Sequence, residues 1–191
     1  NHQGKLRTAN GVRFLDEDTT ELLATFKSMV TISSTMTSTI ESGRAAAYTA
    51  LETRRNGYND GFYRDAASLA VVVISDENDY SGNTPVTRNE FVDWMLNLKT
   101  SPDKVNFSSI VGPPGGCPTA IEAGTDYISV TNSVGGILWS ICNNDWATVL
   151  DELGMQASGL KREFFLSQLP VVDSIEVWVV FDGITYTFDE G

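Results

Sequence analysis

Four oxygen-bearing side chains in a row, Asp76-Glu77-Asn78-Asp79, follow directly on an apolar run, Leu69 to Ile74. Oxygen ligands suit hard cations such as Mg2+ and Ca2+. In open α/β sheets, ligands gather beyond the carboxyl ends of the strands. The same residues also read as helix caps or a solvated loop, a role that Asp and Asn fill readily. A second oxygen-rich stretch runs from Ser33 to Thr39, ahead of a helical pattern that starts at Glu41, and it fits capping and loop solvation as well. Cys117 and Cys142 allow one disulfide, one reduced pair or half a metal site. Because His2 is the lone histidine, a ligand set of Cys and His alone would stop at three members, which argues against zinc. It also leaves a nucleophilic cysteine without a base. No nucleophile elbow, phosphate loop or zinc motif is present.

The balance of charge narrows the partners. Thirteen Lys and Arg stand against 25 Asp and Glu, a formal charge of −12 over 191 residues. That field repels phosphate backbones and anionic membranes, so nucleic acid and lipid are poor partners. The longest apolar run is far short of the roughly 20 residues needed to span a bilayer. A start at Asn1-His2-Gln3 carries no signal-peptide pattern and reads as a processed chain or a fragment.

The elements that must position these residues follow from periodicity. Asp18-Thr-Thr-Glu21 has capping-box form, and Leu22, Leu23, Phe26, Met29 and Val30 follow at helical spacing. Glu41 to Glu52 reads as an alanine-rich helix, and Asn56 to Asp65 as a loop. Leu69 to Ile74 is apolar on both alternating faces and β-branched, the pattern of a strand buried in a parallel sheet. It is therefore expected among the innermost strands. A second capping box, Thr87-Arg-Asn-Glu90, opens a helix bearing Phe91, Trp94, Met95 and Leu98. Val105 to Val111 reads as a strand, Ile121 to Ser133 as a helix and Ile137 to Cys142 as a third strand. Asp145 caps a last helix that Gly154 is expected to end. Trp94, Trp139 and Trp146 are expected in the core, with Trp178 less clearly so. Alternating strands and helices predict a doubly wound, mostly parallel α/β domain over residues 1–161. The tail, 162–191, carries β runs at Phe164 to Leu166, Ser174 to Phe181 and Ile184 to Phe188. The last two flank Asp182-Gly183, a hairpin signal, so a small antiparallel element is expected.

Ala70-Val-Val-Val-Ile-Ser-Asp-Glu-Asn-Asp-Tyr-Ser81 resembles the strand and metal-site loop of von Willebrand factor A-like domains, in the variety found in bacterial secreted proteins and lipoproteins. Gly4 to Arg7 with Gly11 to Leu15, Thr35 to Gly43, Ser140-Ile-Cys142 with Asp145-Trp146, and Phe164 to Ser167 with Pro170 are similar to further segments of that variety. The resemblance implies a Rossmann-like fold and a metal-ion-dependent adhesion site, with Asp76 as its third-loop carboxylate and Ser38 as its second-loop hydroxyl. The Asp-x-Ser-x-Ser loop of the family, with its central strand and first helix, has no counterpart, so the fold is expected to be incomplete at its amino end. Mg2+ or Ca2+ binding by these residues alone is then expected to be weak or absent. Without the central strand, the strand at Leu69 would bare an apolar edge. The acidic composition, the missing zinc set and the resemblance together favour a Cys117–Cys142 disulfide.

These readings define three functions. The first is a non-catalytic extracellular or cell-surface protein-binding or adhesion module, with a divalent cation in play. Its partner, or another segment, would supply the missing strand. The second is a structural subunit of a secreted or surface assembly with a degenerate ion site. A hydrolase using Asp76, Glu77 or Asp79 is the third and the least supported.

Overall fold

Val105–Val111 (β2) is the middle strand of a three-stranded parallel sheet, between Leu69–Ser75 (β1) and Leu138–Ser140 (β3). The computed structural model describes residues 4–31, 41–158, 176–181 and 183–188. The chain divides into two compact units, Asn1–Leu160 and Lys161–Gly191. In the first, the helices are Leu22–Val30 (α1), Gly43–Tyr48 (α2), Arg88–Asn97 (α3), Thr125–Val134 (α4) and Trp146–Ala157 (α5). A turn of π-helix, Thr49–Thr53, extends α2.

Strand alternation divides the packing. Val105, Phe107 and Val111 point to one face, where Phe91 and Met95 of α3 and Tyr127, Val130 and Val134 of α4 bury against them. Phe107 is fully buried, edge-on to Phe91 with ring centroids 5.9 Å apart. Ser108 and Ile110 point to the other face, where the Ser108 hydroxyl donates to Gln156 of α5 at 2.9 Å. Helices thus lie on both faces of a parallel sheet, the arrangement that βαβ crossovers impose. Close approach needs glycine at one point here. A Cβ on Gly136, ahead of β3, would stand 2.2 Å from the Phe107 carbonyl oxygen.

Helix ends follow local chemistry. Thr87 accepts from the Glu90 N–H and Glu90 reaches back to the Thr87 N–H at 2.8 Å, the capping box expected there. Asp145 caps α5 by accepting from Thr148 at 3.2 Å. The box expected at Asp18 does not form. Thr19 instead bonds Asp16 through both its hydroxyl and its N–H, and Glu21, in left-handed conformation, precedes α1. Gly154 does not end α5, which runs on to Ala157. In the second unit, Val177–Phe181 (β4) and Ile184–Phe188 (β5) pair antiparallel as the hairpin pattern requires, with Gly183 at φ +77°. The expected run at Phe164 to Leu166 lies outside the described residues.

Two expectations about burial are overturned. Among the described residues β1 is an edge strand, not an innermost one; β2 takes the interior place because β1 and β3 pair with its two edges. Val72 is 42% exposed and Ile74 59%. Trp146 is also partly exposed, and α1 turns Leu22, Leu23, Phe26 and Val30 outward while burying Thr25, which accepts from Asn10 at 2.8 Å. Truncating Phe107 to Ala should cost about 3–5 kcal/mol in chemical denaturation. At exposed Val72 the same change should cost no more than about 1 kcal/mol. Equal losses at the two positions would contradict this placement of the strands.

Candidate functional site

The acidic run after β1 separates into individual roles. Asp79 turns inward. Its carboxylate accepts from the Arg44 Nε at 3.1 Å, from the Arg44 N–H at 3.2 Å and from the Ser81 hydroxyl at 2.8 Å. Both side chains are almost fully buried. The Arg44 guanidinium completes its bonding to the carbonyls of Val86 at 2.6 Å and Gly82 at 2.5 Å. A buried ion pair is tolerable only when its remaining donors and acceptors are met in this way. The pair locks the start of α2 to the loop leaving β1. Asn78 is used structurally too: its Oδ1 accepts from the Asp126 N–H at 2.9 Å, in the first turn of α4.

Asp76 does stand at the carboxyl end of β1, and its backbone carbonyl accepts from Ile121 at 2.8 Å and Glu122 at 3.1 Å. Around it the field is negative. Glu77 is held above the usual carboxylate range by desolvation first, then by Glu41, Asp76 and Glu122. Since the folded protein holds that proton more tightly than the unfolded chain, this contribution favours folding as pH falls through the raised pKa and opposes it above. Glu122 is shifted the other way, lowered by hydrogen bonds from the Tyr80 hydroxyl and the Asn78 N–H. Its contribution is present at neutral pH and is lost in acid. Glu41 also receives the hydroxyl of buried Ser75, and its carbonyl accepts from the Tyr80 N–H at 2.7 Å.

The other expected donor, Ser38, lies outside the described residues. Among the described residues no three Asp, Glu, His or Cys side chains are arranged to hold a metal ion. Of the acids near Asp76, Asp79 is committed to Arg44 and Glu122 accepts from the Tyr80 hydroxyl. A cleft of about 460 Å³ nearby is lined by Arg44, Asp79, Tyr80, Thr87, Arg88 and Asp126, but not by Asp76. Its charged residues are paired within it, with Arg88 and Asp126 2.6 Å apart.

Cys117 and Cys142 form a disulfide that joins the loops following β2 and β3, with Cα atoms 6.1 Å apart. Closing a span of 25 residues is worth roughly 3 kcal/mol in the chain-entropy description. Among the described residues no helix is long and apolar enough to cross a membrane.

Sequence reasoning missed Arg44, Tyr80 and Glu122. Only Arg44 left a signal, as the lone cation in the alanine-rich segment of α2. Compared with protein-family models, curated proteins and solved structures, the chain matches none. Replacing Asp79 by Ala should cost about 3–5 kcal/mol, because it leaves a guanidinium buried without its partner. The double change Arg44→Met with Asp79→Leu should recover much of that loss in thermal or chemical denaturation. A neutral Asp79→Ala would show that the pair is not buried in solution.

Proposed function

We propose that this chain is a non-catalytic, extracellular protein-binding module of von Willebrand factor A-like type, whose sheet is completed by a strand from its binding partner. One observation supports the reading above the rest: β1 is apolar on both faces and yet no other described strand pairs with its far edge. Such strands belong inside sheets. Strand addition to an open edge is a common mode of peptide recognition, with backbone hydrogen bonds supplying affinity. The disulfide supports an oxidising compartment. A structural subunit with a degenerate ion site is the second reading, favoured by the commitment of Asp79 to Arg44.

A fluorescent peptide carrying the sequence Leu69 to Ser75 between pairs of lysines should bind with a dissociation constant of about 10–100 µM. Val72→Pro should abolish that binding. No binding at about 1 mM peptide, well beyond that range, would overturn the proposal. The titration is run in Mg2+ and in EDTA. Loss in EDTA, reproduced by Asp76→Ala, assigns ion-dependent contact through Asp76; undiminished binding in EDTA assigns the ion-independent form.

A further inference from the structure

The edge of β1 that no described strand pairs has a defined pattern of donors and acceptors. Phe107 and Ser109 donate their N–H groups toward β3, to Gly135 and Ile137, and Val111 accepts from Ile141. Asn106, Ser108 and Ile110 therefore face β1. In a parallel ladder the residues opposite them in register, Ala70, Val72 and Ile74, send their own N–H and C=O groups the other way, toward the open edge. Val72 and Ile74 are also the residues of β1 whose side chains are exposed. The edge is uncharged from Ala66 to Ser75.

Its two ends carry opposite charge. At the carboxyl end Glu41, Asp76, Glu77 and Glu122 gather, and none of the three ion pairs among the described residues involves them. At the amino end stand Arg55, Arg64, Lys99 and Lys104. Lys104 directly precedes β2, and Lys99 donates to the Arg64 carbonyl. Asp65, paired with Arg55 at 3.1 Å, Asp103, next to Lys104, and Glu52, near Tyr63, offset part of that charge and leave a smaller positive excess.

From this geometry we infer that the strand completing the sheet is β1 of a second copy of this chain, running antiparallel about a two-fold axis at Val72. The inference rests on the strand-completion reading above and names its partner. In that register Val72 pairs with Val72 of the second copy, and Ala70 with Ile74 of the second copy and the reverse. All three outward-facing residues of each copy then fall in hydrogen-bonded pairs. Their side chains share one face, so the exposed Val72 and Ile74 of both copies become one apolar stripe. The two-fold axis lays the acidic end of each β1 beside the basic end of the other, which a parallel pairing of copies would not do. This is a self-complementary interface of the isologous kind.

Sedimentation velocity and light scattering on the whole chain test it. The wild type should be dimeric at tens of micromolar and should dissociate on dilution. Raising salt from about 0.05 to 0.5 M, which shortens the screening length, should weaken the dimer several-fold. Val72→Pro removes an outward N–H and leaves the β1–β2 ladder its bonds; Ile74→Lys places a charge on the stripe at an exposed position. Each should be monomeric, with a circular dichroism spectrum like that of the wild type. A dimer that persists in either folded variant, or that salt does not weaken, overturns the inference. A wild type that stays monomeric but binds the lysine-flanked peptide overturns the second copy alone. One that stays monomeric and binds no peptide overturns the strand-completion reading with it.

Discussion

The pairing of β1 with β2 is the contact from which the rest of the first unit takes its arrangement. A strand bonds through alternate residues on each of its two edges, so one ladder satisfies only half of its backbone groups. In β2 both halves are met, by β1 and β3, and helices cover both faces. In β1 the second half, at Ala70, Val72 and Ile74, faces outward. A strand this apolar on an open edge would recruit other strands unless something covers it. The functional reading is the consequence of that imbalance.

The carboxyl end of the sheet is ordered by a different means. Arg44 and Asp79 take two charges out of water and spend them on position, holding α2 against the loop after β1. That leaves Asp76, Glu77, Glu41 and Glu122 as a crowded negative rim, where desolvation first and then the neighbouring carboxylates raise the Glu77 pKa. Charge of that kind steers and selects partners more than it adds affinity. The disulfide anchors the neighbouring loops on the β2 and β3 side. Position of the loops and charge of the rim are thus set by separate groups.

Legibility in the sequence follows the range of the interaction. Local signals read well: the doubly apolar run of β1, the Thr87–Glu90 box, the Asp145 cap and the glycine of the β4–β5 turn each depend on residues a few positions apart. Where a local signal misled, another local interaction won. Thr19 bonded Asp16 instead of joining a box with Asp18, and the helical cost of Gly154, about 1 kcal/mol, was too small to stop α5. What could not be read was long-range. Nothing near Asp79 announces that its partner stands 35 residues away at Arg44. The rank of β1 in the sheet depends on which strands are there to pair with it, and the outward turn of α1 on what covers it.

Hydrogen exchange read residue by residue along β1, in solution dilute enough to keep the chain monomeric, tests the central claim most directly. The account predicts alternation: the N–H groups of Ala70, Val72 and Ile74 exchange quickly, while those of Val71 and Val73, bonded into β2, exchange slowly. Raising the protein concentration should slow the first set and leave the second unchanged. Equal and strong protection at all five positions in the most dilute sample would mean that the edge is already filled within the chain, and would contradict the account.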